Sequence, residues 1–455
     1  MLAGERSGKK IGKMLNTVAK DVEDVSSLVW FRNDLRVSDH TGLTKASKNS
    51  KRLFGIYCFD PKLFVNNKLG FPKMSAFRAS FILESIKELK IELLKKNISL
   101  VVKIGEPNKV ISEFIKEHNI NCIYFQDEWT EEENSEERLL LNNIDANIKL
   151  EKYFDQFLYH PSDVDQSFVS DVFTSFRKYC EKNLVVREMV EPISSFTKDN
   201  LINEEENNLP SLEDLGLNSF EVDSRTAFPF TGGCLSAKDR VNYYLWESKK
   251  VNFYKKTRNG LLGKDYSSKF SAWLANGCIS PREIYWEIRK YENDIMKNQS
   301  TYWMIFELIW RDFFKFISLK YGNKIFKIGG ILEKEYTWLN DEHQFQNWIN
   351  GTTNEPFVNA NMIELKSTGW MSNRGRQNVA SFLSKELLID WRWGANYFES
   401  MLIDYDVHSN YGNWMYVSGV GNDPRDRKFN IKFQADRYDP NNKFQNLWLQ
   451  GKLFV

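Results

Sequence analysis

The chain has 455 residues, 42% of them hydrophobic, with 62 basic against 61 acidic side chains and a formal charge of +1. This length supports two or three separate cores, and near-neutrality excludes a basic field over the whole molecule, so any nucleic acid would be met by a local patch. Five cysteines, odd in number and without a CxxC pair, and five histidines with no ligand spacing exclude a disulfide scaffold and leave no metal expected.

Residues 1–26 carry Lys9, Lys10, Lys13 and Lys20 without an apolar signal core, which reads as a disordered start or an organellar presequence. From Ser27, SLVWF, RLFGIYCFD, SLVVKIG and NCIYFQD alternate with amphipathic helices at 75–97 and 108–118. Short apolar runs separated by helices predict an α/β doubly wound parallel-sheet domain over 27–160, with its ligand lip after NCIYFQDEW. Periodicity fades over 161–225, where KDNLINEEENNLPSLEDLGLNS marks a solvated interdomain linker. Acidic runs at Glu131–Glu137 and Glu204–Glu206 leave the carboxyl-terminal half comparatively basic. Over 226–455 the pattern turns helical, including one helix expected over 237–254, and predicts an all-α domain. No apolar run reaches membrane length, so no membrane is expected as a partner.

Fourteen tryptophans outnumber the eleven prolines. Most such rings belong to cores, and a few can stack on bases or carry electrons. DYSSKFSAWLANG places Ser267, Ser268 and Ser271 around Lys269 and Phe270 at a helix start, which reads either as serine capping or as an anion cradle suited to a pyrophosphate. In TYWMIFELIWRDFF, helical spacing puts Glu307, Trp310 and Arg311 on one face, either as a surface pair beside a core ring or as a pocket wall. A helix over NRGRQ would set Asn373 and Gln377 one turn apart with Arg376 beside them. Arg376, Asp404 and Asp406 lie among aromatics, where unpaired charge is costly, so they must pair with one another or hold a polar ligand.

The wording of these segments resembles the photolyase and cryptochrome family, and in detail its DASH branch. TGWMSNRGRQNVASFL and LIDYDVHSNYGNW carry the resemblance, which runs from Ser27 nearly to the end. It implies FAD in the helical domain, with the Ser267, Ser268, Lys269, Phe270, Ser271 run on its phosphates. Tyr254, Arg311, Asn373, Arg376, Asp404 and Asp406 are then further contacts, and Asn410 faces the reactive ring nitrogen, where asparagine favours repair and an aspartate would favour signalling. Glu307, Trp310, Asn373, Gln377 and Tyr416 would line a lesion pocket. Two histidines would stand at 373 and 377 in enzymes acting on (6-4) lesions, so cyclobutane pyrimidine dimers are the expected substrate. Trp414, Trp391 and Trp338 match the electron-transfer triad, from flavin to surface. Arg258, Arg374, Arg425 and Arg427 match or neighbour phosphate contacts, and Gln377 with Tyr416 points to damaged single-stranded DNA as the partner. Glu128 and Glu132 match antenna contacts, implying 5,10-methenyltetrahydrofolate. Trp129 and His408 depart from the pattern, standing where a small or β-branched residue and a cysteine are usual. The implied protein is a monomeric, blue-light-driven deoxyribodipyrimidine photo-lyase, cytoplasmic or nucleoid-associated unless residues 1–26 target an organelle. The alternative is a photoreceptor with a signalling role and little repair.

Overall fold

Four apolar runs and a less obvious fifth build the sheet. A computed structural model describes residues 25–202 and 208–450, so the basic stretch Lys9–Lys20 and the acidic run Glu204–Glu206 lie outside the described residues. The strands are β1 (Ser26–Trp30), β2 (Arg52–Phe59), β3 (Leu100–Ile104), β4 (Cys122–Gln126) and β5 (Lys149–Tyr153), all parallel in the order β3-β2-β1-β4-β5. Strands β1 and β4 are buried throughout, as a parallel sheet covered on both faces requires. Strand β5, KLEKY, escapes the sequence reading because it lies at the edge and alternates charge, without an apolar run. Helices α1 (Thr41–Asn49), α2 (Ala76–Leu94), α3 (Pro107–His118) and α4 (Glu131–Asn143) make the crossovers.

The 161–225 stretch read as a connection contains α5 (Phe173–Asn183), whose Phe173, Phe176 and Cys180 are buried. It packs on α10 (Gln299–Tyr321), the axis of the helical domain. Around α10 stand α6 (Cys234–Asn242), α7 (Tyr254–Thr257), α8 (Ser271–Ala275), α9 (Pro281–Asp294), α11 (Glu342–Asn350), α12 (Pro356–Thr368), α13 (Asn373–Ser381), α14 (Trp391–Met401), α15 (Val407–Ser418), α16 (Ile431–Tyr438) and α17 (Lys443–Leu449). The single helix expected over 237–254 is broken between α6 and α7, where Lys249 takes a left-handed φ of 51°.

A buried ionic knot joins the two domains. Arg282 of α9 donates to both carboxylate oxygens of Asp39 at 2.9 Å and to Asp155 at 3.0 Å. Asp155 also accepts from the Thr41 amide and hydroxyl, and Ser280 donates to Asp39. Asp312 of α10 accepts the Leu158 and Tyr159 amides at 2.9 and 2.8 Å, although burial lifts its carboxyl to about 7. At Gly277, φ is +73° and a Cβ would meet the Asn33 carbonyl at 2.1 Å, so only glycine lets this loop close on the sheet.

Breaking a buried pair leaves an uncompensated charge, which costs about 3 kcal/mol or more. Arg282→Met is therefore expected to lower the unfolding free energy by about that amount, measured as a fall in urea midpoint at constant slope. An unmoved midpoint would show that the knot does not hold the domains.

Candidate functional site

Three concavities concentrate the buried polar side chains. The main cavity, about 410 Å³, opens between α7, α8, α10, α13 and α15, and an adjoining recess of about 80 Å³ runs between α13, α14 and α15. Arg376, Asp404 and Asp406 border both. A third cleft, about 590 Å³, lies between the domains and shares Ala275, Arg311 and Asp406 with the main cavity.

Ion pairs set the floor of the main cavity. Arg376 donates to both oxygens of buried Asp404 at 2.9 and 3.0 Å. Asp406 caps α15 by accepting the Ser409 amide at 2.8 Å. It is also held by buried Lys315 at 2.8 Å and Arg311 at 3.8 Å. Burial alone would raise the Asp406 carboxyl, and the Lys315 and Arg311 charges overcome this and hold it far below the usual carboxylate range. Lys315 is absent from the sequence-predicted set. Its spacing of four from Arg311, on the face that meets the carboxylates, is the signal that could have found it.

Ser267, Ser268, Lys269, Phe270 and Ser271 line one end of the cavity with Tyr254. Helix α8 is only five residues long, so the cradle rests on local groups more than on a helix dipole. Arg240, also missed by the sequence reading, shapes that loop by donating to the carbonyls of Lys264, Ser267 and Ser268 at 2.7–3.1 Å. The Lys269 ammonium is buried, lies 3.2 Å from the Tyr266 ring centroid and has no hydrogen-bond partner among the described residues. Burial pushes its pKa well below the usual lysine range, while burial lifts the facing Glu364 to about 8. A bare ammonium beside two serines is what an anionic group entering this end would satisfy. The residues present therefore fit a polar, anionic ligand of the flavin dinucleotide kind.

Glu307, Trp310, Asn373, Gln377 and Tyr416 share the main cavity. Glu307 is ion-paired with Arg258, which lines the same cavity. Trp310 stacks on Phe173 at 3.6 Å and stands perpendicular to Tyr416 at 6.0 Å, so α5 buttresses the cavity wall. Asn410 opens onto the recess and donates to the Ala395 carbonyl at 3.0 Å. Trp414 also lines the recess, buried against Phe398. Trp391 is fully buried at the start of α14, and Trp338 is partly exposed, one residue before the Leu339–Ile389 bridge.

Of the arginines, Arg427 borders the main cavity, paired with Asp423 at 2.8 Å and the Tyr416 hydroxyl at 3.0 Å. Arg425 is exposed outside it. Arg374 does not reach the cavity wall, because it donates to Gln377, Gln434 and Asn259 and lies over Tyr438.

The interdomain cleft holds both Glu128 and Glu132. Glu132 pairs with Lys73, and Glu128 accepts from Gln126 at 2.8 Å. The two departures from the resembled pattern meet here. Trp129 stacks on His408 at 4.3 Å and 15°, and the Ser318 hydroxyl links them, accepting from the Trp129 indole at 2.7 Å and lying 2.7 Å from His408 Nδ1. The indole thus packs behind His408 without lining the cleft.

Among the described residues no cluster of histidine, cysteine and carboxylate could hold a metal ion, and no helix is long and apolar enough to cross a membrane. A family model described as the FAD binding domain of DNA photolyase matches residues 303–451, and one described as DNA photolyase matches residues 27–194. A cryptochrome DASH from Synechocystis sp. is 45% identical over 428 residues, covering 93% of this chain and 87% of that protein. The crystal structure of Synechocystis sp. cryptochrome superposes with a TM-score of 0.89 at 44% identity, covering 93% and 88% of the two chains. An archaeal photolyase from Sulfolobus tokodaii, described with two FAD molecules and a novel light-harvesting cofactor, gives 0.77 at 30% identity over 95% and 91%.

Two outcomes follow from the charged floor. Arg376→Met strands Asp404 as a buried charge, and retained flavin after gel filtration is expected to fall at least about tenfold; full retention would disprove the assignment. Because the folded Asp406 carboxyl lies below its unfolded value, its stabilisation is complete above about pH 4 and is lost as the pH falls further. Asp406→Asn should flatten the acid limb of the stability profile, and an unchanged limb would contradict the Lys315 pairing.

Proposed function

The chain belongs to the photolyase and cryptochrome family, with cryptochromes DASH among its relatives, and from that premise we propose that it is a blue-light-driven, FAD-dependent lyase acting on cyclobutane pyrimidine dimers in DNA. One observation carries the reading. A single cavity has paired carboxylates and a bare ammonium at one end, and a carboxylate, an indole and a phenol at the other.

FAD held in this cavity would supply the light-driven electron chemistry needed to open a cyclobutane ring. The chain's residues bind and orient. Ser267, Ser268 and Lys269 hold the phosphates, Arg376 fixes Asp404, and Lys315 fixes Asp406, so that no floor carboxylate needs to reorganise when charge moves. Asn410 offers an amide at the ring edge, able to donate or accept without exchanging a proton. At the substrate end Trp310, backed by Phe173, presents a rigid aromatic edge to the flipped bases, and Tyr416 flanks it. A DNA phosphate drawn to Arg258 would compete with Glu307 for the guanidinium, freeing that carboxylate to accept from the dimer. Arg425 and Arg427 extend the phosphate contact, which positions a strand without reading its sequence.

Extruding the lesion costs a few kcal/mol, least in single strands, so damaged single-stranded DNA is the proposed preferred substrate. Trp414, Trp391 and Trp338 are the proposed electron path from the flavin to the surface. The cleft lined by Glu128 and Gln126 is the proposed antenna site, for 5,10-methenyltetrahydrofolate. We further propose a monomer, cytoplasmic or nucleoid-associated.

The deciding assay follows light-dependent reversal of dimers in single- and double-stranded oligonucleotides by the flavin-loaded protein. Reversal in light and none in darkness is expected, faster on single strands; photoreduction without repair of either substrate would assign the chain to signalling instead. Glu307→Gln should lower repair about ten- to hundredfold with flavin content unchanged, and an equal loss of flavin would make Glu307 structural. Trp391→Phe should slow photoreduction of the oxidised flavin at least about tenfold while leaving repair by chemically reduced protein intact; unchanged photoreduction would remove the proposed path.

A further inference from the structure

Trp414, on the wall of the recess, has a second file of aromatic rings leading away from it, separate from the path through Trp391 and Trp338. Its ring contacts are with Phe398 at 5.1 Å and with Trp348 at 6.2 Å, the indole lying edge-on at 69°. Trp391 has its own ring contact elsewhere, with Tyr411 at 6.1 Å. Trp348 belongs to α11 and is fully buried, and its indole N–H donates to the Val379 carbonyl at 3.1 Å. Phe345, one turn earlier on the same helix face, lies nearly parallel to it at 5.8 Å and 20°. Phe345 then meets Trp393 of α14 edge-on at 5.3 Å and 73°. Trp393 is only partly buried, so the file runs from the recess to the surface.

Core packing asks only for volume at these positions, and other large apolar side chains supply it. Indoles add the capacity to give up an electron, and electron transfer between rings falls steeply with the gap. Trp348 suits a relay, because a backbone carbonyl holds its N–H and is too weak a base to take the proton, so the oxidised ring passes its charge on. Tyr397 also touches Trp348, at 6.0 Å, but it is buried and burial pushes its phenol up, so it cannot shed the proton that would trap the charge there. Phe345 is harder to oxidise than an indole and acts as a bridge, which makes this route slower than one built of indoles alone.

We propose that Trp348 and Trp393 form a second electron exit from Trp414, working beside Trp391 and Trp338. The proposal rests on the reading of a flavin in this cavity. Trp414, having given one electron to the photoexcited ring, takes one from Trp348, and Trp348 takes one from Trp393 across Phe345. The indole N–H bond of Trp393 then breaks and its proton goes to water. A thiol such as dithiothreitol returns one electron and one proton to that nitrogen, its own S–H bond breaking. One electron has passed from the thiol to the flavin, and the chain is unchanged.

The test uses the flavin-loaded full chain carrying Trp391→Phe, in which the other route is closed, illuminated with dithiothreitol. Its residual photoreduction is expected to fall at least about tenfold further when either Trp348→Phe or Trp393→Phe is added. A residual rate unmoved by both additions would overturn the branch. Trp393→Phe alters a partly exposed ring and so tests the route even where Trp348→Phe disturbs the core. A second readout does not depend on flavin reduction: Trp391→Phe illuminated in air without thiol should carry oxidised tryptophan at Trp393, detected by peptide mass spectrometry, and an unmodified Trp393 would remove it as the exit. Failure of the unsubstituted chain to photoreduce would instead refute the flavin reading, and the branch with it.

Discussion

Three buried charges at the domain seam govern the rest of the structure. Arg282 holds Asp39 and Asp155 away from water, and each carboxylate also accepts from a distant segment, Asp39 from Ser280 and Asp155 from Thr41. Such pairs add little net stability over an apolar core, because desolvation offsets their attraction. Their geometric demand is strict, however, and here it sets one register between the sheet and α9. The main cavity and the interdomain cleft share walls at Ala275, Arg311 and Asp406, so both take their shape from that register.

Within the cavity, charge is neutralised where the chain supplies its own partner and left bare where a ligand would. Asp404 and Asp406 are satisfied by Arg376 and by Lys315 with Arg311. Lys269, at the same end, has the Tyr266 and Trp370 rings against its ammonium and no hydrogen-bond partner among the described residues. The same economy explains Trp129 and His408. Each departs from the resembled pattern, and each fills volume that the other requires, sharing one hydroxyl at Ser318.

Much of the site was legible because its elements are local. Helical spacing alone puts Glu307, Trp310 and Arg311 on one face and Asn373 beside Gln377, and α10 and α13 have that form. The apolar runs of β1 to β4 identify the parallel sheet for the same reason. Illegible elements lack a local signal. The edge strand β5 has no apolar run, and α5 sits in a polar stretch, its three buried residues made meaningful only by α10. Arg374 is expected as a phosphate contact and is instead consumed by Gln377, Gln434 and Asn259, contacts drawn partly from segments 60 and 115 residues away.

By itself the sequence determined the two kinds of domain, their order and the residue types that line the main cavity, because periodicity and short motifs act over one or two turns of chain. Tertiary structure alone decided which charges pair, that Lys315 joins Asp406, and that Arg240 shapes the serine loop. Those outcomes depend on distances between segments that the chain brings together only when the core closes, and no local pattern encodes them.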